Sequence, residues 1–170
     1  IMLAILNSRG TSIMLKSIAV LTSGGDSPGM NAAARAVVRT ALYEGVKVWG
    51  LRGGYHGLLE EDMFEMKSRD VSDIIQRGGT FLGTARCKRW KTPEGRMMGY
   101  KHLTDRGIEG LCVIGGDGSL RGASLLSKET GMPVLVSEDA LSCVGEGPGK
   151  SLENIGLLKR VVMTSKQLRQ

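Results

Sequence analysis

A short apolar run at residues 111–114 ends in the turn Gly-Gly-Asp-Gly-Ser at residues 115–119. Glycines let a backbone approach phosphate oxygens closely, and amide groups at the start of a following helix point toward an anion. Asp117 is the one carboxylate of this turn, where it could hold a magnesium ion between phosphates. The turn indicates a phosphate site, with an ordinary strand-to-helix turn of an α/β domain as the alternative.

A second glycine turn, at residues 22–29, follows another apolar run at residues 18–21. The periodicity predicts strands at residues 18–21, 46–51, 111–114 and 132–136, and helices at residues 30–44, 68–76, 93–106 and 120–129. Residues 53–57 are expected to form a loop. Strands that alternate with helices imply a parallel sheet with right-handed crossovers, whose ligands lie at the carboxyl ends of the strands. Both turns fall at such ends, which favours the phosphate site.

Composition limits the class of protein. The chain has 170 residues, enough for one domain with a core, and its 41% hydrophobic and 24% charged residues are typical of a soluble globular protein. With only 4% aromatic residues and a net charge of +6 spread along the chain, apart from a cluster at residues 86–91, no nucleic-acid partner is expected. No apolar run reaches membrane-spanning length. Three widely spaced cysteines support neither a disulfide framework nor a zinc site and fit the cytoplasm.

Three stretches together carry a resemblance to a known family. They are Leu-Thr-Ser-Gly-Gly-Asp-Ser-Pro-Gly-Met-Asn at residues 21–31, Gly-Gly-Thr-Phe-Leu-Gly-Thr-Ala-Arg at residues 78–86, and the turn at residues 115–119. Residues 17–136 resemble the N-terminal part of bacterial ATP-dependent 6-phosphofructokinases. The last turn alone would also suit NAD kinases or lipid kinases, but the other two stretches do not resemble those. The resemblance implies a three-layer, doubly wound, mostly parallel α/β sheet, here incomplete.

The resemblance also implies a site for ATP and Mg²⁺. In the family, the residues matching Arg86 and Asp117 stabilise the transferred phosphoryl group and hold the metal ion, respectively. Gly118 resembles ATP users, because pyrophosphate-dependent relatives usually carry a bulkier aspartate there. The ATP-binding residues implied are Gly25, Tyr55, Arg86, Cys87, Gly116, Asp117, Gly118 and Ser119.

A second site is implied at a subunit interface. Arg35 and Arg39 match basic residues that bind a phosphorylated effector, with Asp73 near the same site; the alternative is that the two arginines form a solvated helix face. The family implies a cytoplasmic, allosteric homotetramer that transfers the ATP γ-phosphoryl group to fructose 6-phosphate in glycolysis.

Both ends of the chain depart from this pattern. Residues 1–16 are expected to be an N-terminal extension with a natural start at Met14, residues 17–137 a partial ATP-binding domain, and residues 138–170 an unrelated tail with a linker and a helix. After Val136 the family carries a Pro-Gly-Thr-Ile-Asp-Asn-Asp-like motif with the general base, whereas this chain continues Ser-Glu-Asp-Ala-Leu-Ser. We expect a truncated or frameshifted reading frame. The alternatives for the chain are a catalyst by descent, a non-catalytic ATP and magnesium-binding fragment, and a folding-defective remnant.

Overall fold

The computed structural model describes residues 4–6 and 12–135, which belong to one compact unit ending at Leu135. The linker and the helix predicted within residues 138–170 lie outside the described residues. No helix in the described ranges is both long and apolar enough to cross a membrane. In chain order the elements are β1 (Ala4–Leu6), β2 (Ser12–Met14), β3 (Ser17–Ser23), α1 (Met30–Tyr43), β4 (Lys47–Leu51), α2 (Tyr55–Leu59), β5 (Met63–Glu65), α3 (Pro93–Asp105), β6 (Gly110–Gly115), α4 (Asp117–Thr130) and β7 (Val134–Leu135), with 3-10 turns at Ser68–Val71 and Arg89–Lys91.

The main sheet has five strands in the order β5-β4-β3-β6-β7. Strand β3 lies in its centre and pairs in parallel with both β4 and β6, and β6 pairs in parallel with β7. Strands β1 and β2 form a separate antiparallel pair. The predicted parallel α/β sheet is therefore confirmed for the four strands β4, β3, β6 and β7.

Helices cover both faces of the sheet, because the side chains of β3 point alternately to opposite sides. Ala19 and Leu21 pack in one core cluster with residues of α2, α3 and α4, whereas Ile18 and Val20 pack in another with residues of α1. All four are fully buried. Central parallel strands buried on both faces read as continuous apolar runs, which is how β3 appears in the sequence.

The expectations for residues 53–76 are wrong at three points. Residues 53–57 are not a loop throughout, because α2 begins at Tyr55. The sequence pattern also did not predict β5, which pairs antiparallel with β4. The predicted helix at residues 68–76 is only the 3-10 turn Ser68–Val71. These segments are short and take their conformation from packing rather than from a periodic pattern. Propensity is a weak guide where tertiary contacts decide.

The ends of α3 were predicted correctly. The hydroxyl of Thr92 accepts a hydrogen bond of 3.1 Å from the backbone amide of Gly95, with Pro93 at the first helical position. Beyond the helix, Gly107 adopts a φ of +68°. A hydroxyl cap followed by proline, and a left-handed glycine after the last turn, are start and stop signals that act within a few residues.

Replacing Leu21 tests the central position of β3. Leu21→Ala removes a fully buried side chain that packs against α2, α3 and α4 on one face of the sheet, and we expect it to lower the free energy of unfolding by about 2–5 kcal/mol in urea denaturation. Leu125→Ala, at a position 43% exposed on α4, is the matched control and should change it by about 0.5 kcal/mol or less. Equal losses in the two variants would contradict this arrangement of the core.

Candidate functional site

The two glycine turns emerge side by side from the carboxyl ends of β3 and β6. The register of these strands pairs Ser23 with Gly115. The Ser119 hydroxyl, in the first turn of α4, donates a hydrogen bond of 2.9 Å to the Ser23 hydroxyl. A Cβ atom at Gly115 would collide with the carbonyl oxygen of Ser23, so this close approach requires glycine.

The third stretch of the resemblance is held against the end of β3 by a different side chain. The Thr22 hydroxyl, which is buried, donates to the carbonyl oxygen of Gly83 at 2.9 Å and lies 2.9 Å from the Thr80 hydroxyl. The Asn31 carboxamide, at the start of α1, accepts from the Phe81 amide at 2.8 Å. The loop that leads to Arg86 is thereby fixed at two points.

All three stretches border one cleft of about 780 Å³. The eight residues assigned to ATP all line it, as do six others that the resemblance did not assign. The shared lining consists of Gly25, Tyr55, Arg86, Cys87, Gly116, Asp117, Gly118 and Ser119, and the additional lining of Ser23, Gly24, Ala85, Lys88, Trp90 and Lys91. The basic cluster at residues 86–91, of which the resemblance assigned only Arg86 and Cys87 to the site, supplies Lys88, Trp90 and Lys91 of the additional lining.

Helix α4 begins at this cleft without a side-chain cap. The amides of Ser119 and Leu120 donate to the carbonyl oxygen of Gly116, whereas those of Asp117 and Gly118 make no backbone hydrogen bond within the described residues. Free amides at a helix start and the helix dipole favour an anion there. The exposed side chains of Arg86, Lys88 and Lys91 add positive charge around the same cleft.

The Asp117 carboxylate is exposed at the same helix start and forms no salt bridge with any described residue. No group of three His, Cys, Asp or Glu side chains suited to a metal occurs in the described ranges. Mg²⁺ usually binds through one or two carboxylates, water and substrate phosphates rather than in an all-protein cage. A single free carboxylate beside an anion site fits that ion.

Tyr55 forms part of the cleft wall from α2. Its hydroxyl donates a hydrogen bond of 2.6 Å to the carbonyl oxygen of Ser119, and its ring stacks on Trp90 with 4.2 Å between centroids. Burial raises the pKa of the Tyr55 hydroxyl, so the group stays protonated and remains a donor at neutral pH. Tyr55 thus ties α2 to the first turn of α4.

Cys87 and Arg86 follow the loop fixed by Thr22. The Cys87 thiol is free and half-buried at the cleft. Cys112 in β6 is also free, but burial raises the pKa of its thiol to about 12, which makes it unreactive near neutral pH. Of the cysteines described, only Cys87 can meet a ligand in the cleft.

The three residues assigned to an effector do not line this cleft. Arg35 and Arg39 lie one turn apart on α1, and Arg35 donates a hydrogen bond of 2.5 Å to the carbonyl oxygen of Val71. Asp73 follows two residues later with a φ of +54°. The structure therefore brings Arg35 to the segment that carries Asp73, while Arg39 stays exposed.

Comparison with known proteins identifies the family. The family described as phosphofructokinase matches residues 17–142, three quarters of the chain. The chain belongs to the phosphofructokinase family. The match continues to residue 142, beyond Val136, where the resemblance was expected to end.

The relatives share the family name and are longer. The chain is 62% identical over 114 residues to an ATP-dependent 6-phosphofructokinase of Paenibacillus macquariensis, covering 67% of this chain and 35% of that protein. It is 59% identical over 121 residues to one of Halothermothrix orenii, covering 71% and 36%. The solved phosphofructokinase of Saccharomyces cerevisiae matches with a TM-score of 0.65 and 49% identity, over 67% of this chain and 16% of that one. The chain spans about a third of the length of the curated relatives it matches.

The Thr22 hydroxyl offers a test of how the phosphofructokinase cleft is assembled. Thr22→Val keeps the shape but leaves the Gly83 carbonyl and the Thr80 hydroxyl without this partner, which should cost about 1–3 kcal/mol. We expect faster tryptic cleavage after Arg86, with cleavage after Lys101 in α3 unchanged.

Thr22→Ser is the control, because it keeps the hydroxyl and loses only a methyl group. It should retain the wild-type rate of cleavage after Arg86. If the serine and valine variants were cleaved there equally fast, the hydroxyl would not be what holds the loop.

Proposed function

We propose that the cleft binds Mg²⁺ and the phosphates of ATP, as the nucleotide half of a 6-phosphofructokinase that transfers the γ-phosphoryl group to fructose 6-phosphate. One observation carries this proposal: the eight residues assigned to ATP line a single cleft at the start of an uncapped helix. Three further assignments rest on the family resemblance. Residues 17–137 would form the ATP-binding domain. The complete enzyme would be a cytoplasmic homotetramer. Its effector site would include Arg35, Arg39 and Asp73.

The negative charge of Asp117 would require a metal ion between its carboxylate and a bound phosphate chain. A phosphate chain at the start of α4 would lie beside this carboxylate, and two anions at close range repel each other. A bound Mg²⁺ would offset this repulsion and polarise the phosphoryl oxygens. Asp117 would hold it, while the free amides of the helix start orient the phosphates.

Arg86 would stabilise charge on the moving phosphoryl group. Its side chain is exposed at the cleft and follows the loop that Thr22 and Asn31 fix in place. Phosphoryl transfer depends on positioning and on preorganised positive charge rather than on covalent chemistry by the protein. A guanidinium suits this role because it stays charged and donates along two parallel directions.

Gly118 supports ATP rather than pyrophosphate as the phosphoryl donor. A Cβ atom added there would meet no protein atom within 4 Å, so any side chain would project into space that borders the cleft. Glycine leaves that space open for the larger nucleotide.

A second candidate function is ATP and magnesium binding without turnover. It is favoured by the segment after Val136, which has Ser-Glu-Asp-Ala-Leu-Ser where the family carries its general base. Transfer needs a carboxylate that accepts the sugar hydroxyl proton. The two candidates share the same nucleotide site and differ only in catalysis.

Asp117→Asn tests the nucleotide site. At ATP concentrations 100 times the dissociation constant, binding should stabilise the wild-type chain by about 2.7 kcal/mol, which corresponds to a rise in melting temperature of about 5–10 °C for a chain of this size. With the variant, adding Mg²⁺ should no longer increase the shift that ATP produces. Differential scanning fluorimetry with and without EDTA measures both.

Asp105→Asn, at the exposed end of α3, is the control and should keep the full magnesium-dependent shift. An unchanged shift in Asp117→Asn would remove Asp117 as the metal ligand. Absence of any ATP shift in the wild-type chain would sink the proposed nucleotide site itself.

A coupled assay separates the two candidate functions. We expect the purified 170-residue chain to bind ATP yet form no fructose 1,6-bisphosphate from ATP and fructose 6-phosphate, because it lacks the motif that carries the general base. A relative with the complete motif serves as the positive control. Turnover by this chain above the level of its Arg86→Ala variant would contradict the second candidate and support the first.

A further inference from the structure

One wall of the cleft is the 3-10 turn Arg89–Lys91, and its carbonyl groups are all held from the first turn of α3. The Thr92 hydroxyl donates to the carbonyl oxygen of Arg89 at 3.0 Å. The Arg96 Nη1 group donates to the carbonyl oxygens of Trp90 at 3.1 Å and Lys91 at 2.9 Å. The turn is therefore fixed through its backbone, from the side of α3.

Arg96 is itself fixed on its other edge. Its Nε and Nη2 groups donate to the two carboxylate oxygens of Glu129 on α4, at 2.7 and 2.6 Å. The residue is only 4% exposed, and a buried guanidinium needs this number of partners to offset the loss of hydration. The hydrogen bonds from Arg96 lower the pKa of Glu129, so both partners are charged at neutral pH.

The turn Arg89–Lys91 carries two side chains that line the cleft, Trp90 and Lys91. Trp90 stacks on Tyr55, whose hydroxyl donates to the Ser119 carbonyl in the first turn of α4. A displacement of the turn would therefore move a cation, an aromatic wall and the support of the phosphate-binding helix start together.

We propose that Arg96 is a positioning residue for the nucleotide, acting through the carbonyl groups of Trp90 and Lys91. It does not line the cleft and would not touch the ligand. This inference rests on the proposed function only for the identity of the ligand. The arrangement of the wall can be measured without any ligand.

A purely structural role for Arg96 is the competing explanation, because the pair with Glu129 also links α3 to α4. Two variants separate the explanations. Arg96→Lys keeps a positive charge near Glu129, but its single ammonium group cannot serve the carboxylate and both carbonyls at once. Glu129→Gln weakens the link between the helices and leaves the two bonds from Arg96 Nη1 to the wall available.

The experiment uses the full 170-residue chain carrying Trp49→Phe, so that Trp90 is its only tryptophan, since the chain has two. The melting temperature measures the structural role of each variant. Titration with Mg²⁺-ATP, followed by Trp90 fluorescence, measures the dissociation constant. Acrylamide quenching of Trp90 without ligand measures how firmly the wall is held.

Loss of two buried hydrogen bonds to the wall predicts an ATP dissociation constant raised about tenfold in Arg96→Lys. Trp90 should also become more accessible to acrylamide in this variant. In Glu129→Gln we expect a lowered melting temperature, because the link between α3 and α4 is weakened. Its ATP dissociation constant should stay within about threefold of the parent value, because the two hydrogen bonds from Arg96 to the wall remain.

Equal changes of the dissociation constant in the two variants, or no change in either, would overturn the proposal and leave Arg96 with a structural role. If the parent chain bound no ATP, the proposed function would fail. Acrylamide quenching of Trp90 would then be the measurement that decides whether Arg96 positions the cleft wall. Greater quenching in Arg96→Lys than in Glu129→Gln would still support the positioning role. Equal quenching would refute it.

Discussion

The last two residues of β3 hold the cleft together. Thr22 and Ser23 are neighbours in a strand, so their side chains point to opposite sides. The Thr22 hydroxyl binds the loop that leads to Arg86, and the Ser23 hydroxyl accepts from Ser119 at the start of α4. Because β3 is the central strand and is buried on both faces, these two contacts start from the core of the sheet. This fixed edge of β3 positions the three stretches that border the cleft, whereas the Arg89–Lys91 turn is held separately from α3.

The charged and polar groups around the cleft determine which ligand it can bind. The start of α4 offers free amides and a carboxylate, and the facing segment offers the three cations of residues 86–91 that line the cleft. Amides and cations attract an anion, whereas the Asp117 carboxylate repels one unless a metal ion lies between them. A phosphate chain with a bound divalent cation satisfies all of these groups together, which a bare anion or a bare metal ion does not.

The turn Arg89–Lys91, which carries one of those cations, Lys91, is held from the side of α3. Arg96 and Thr92 hold its carbonyls, and Glu129 holds Arg96. The phosphofructokinase cleft is therefore supported in two layers, with β3 beneath and the pair of α3 and α4 at its side. The contacts that hold the cleft all lie within residues 17–135, although the chain spans about a third of the length of its curated relatives.

The sequence by itself determined the central strands, the glycine turns at their carboxyl ends, the cap of α3 and eight of the fourteen residues that line the cleft. These signals are local: a buried strand is an apolar run, and a cap or a glycine turn acts within a few residues. Only the tertiary structure decided that Tyr55 opens a helix, that β5 pairs with β4, and that Arg96 supports the cleft wall. Arg96 meets Glu129, and Tyr55 meets Ser119, across long separations in the chain. No local pattern encodes such pairs, because a hydrogen-bond partner distant in sequence is chosen by how the helices pack on the sheet.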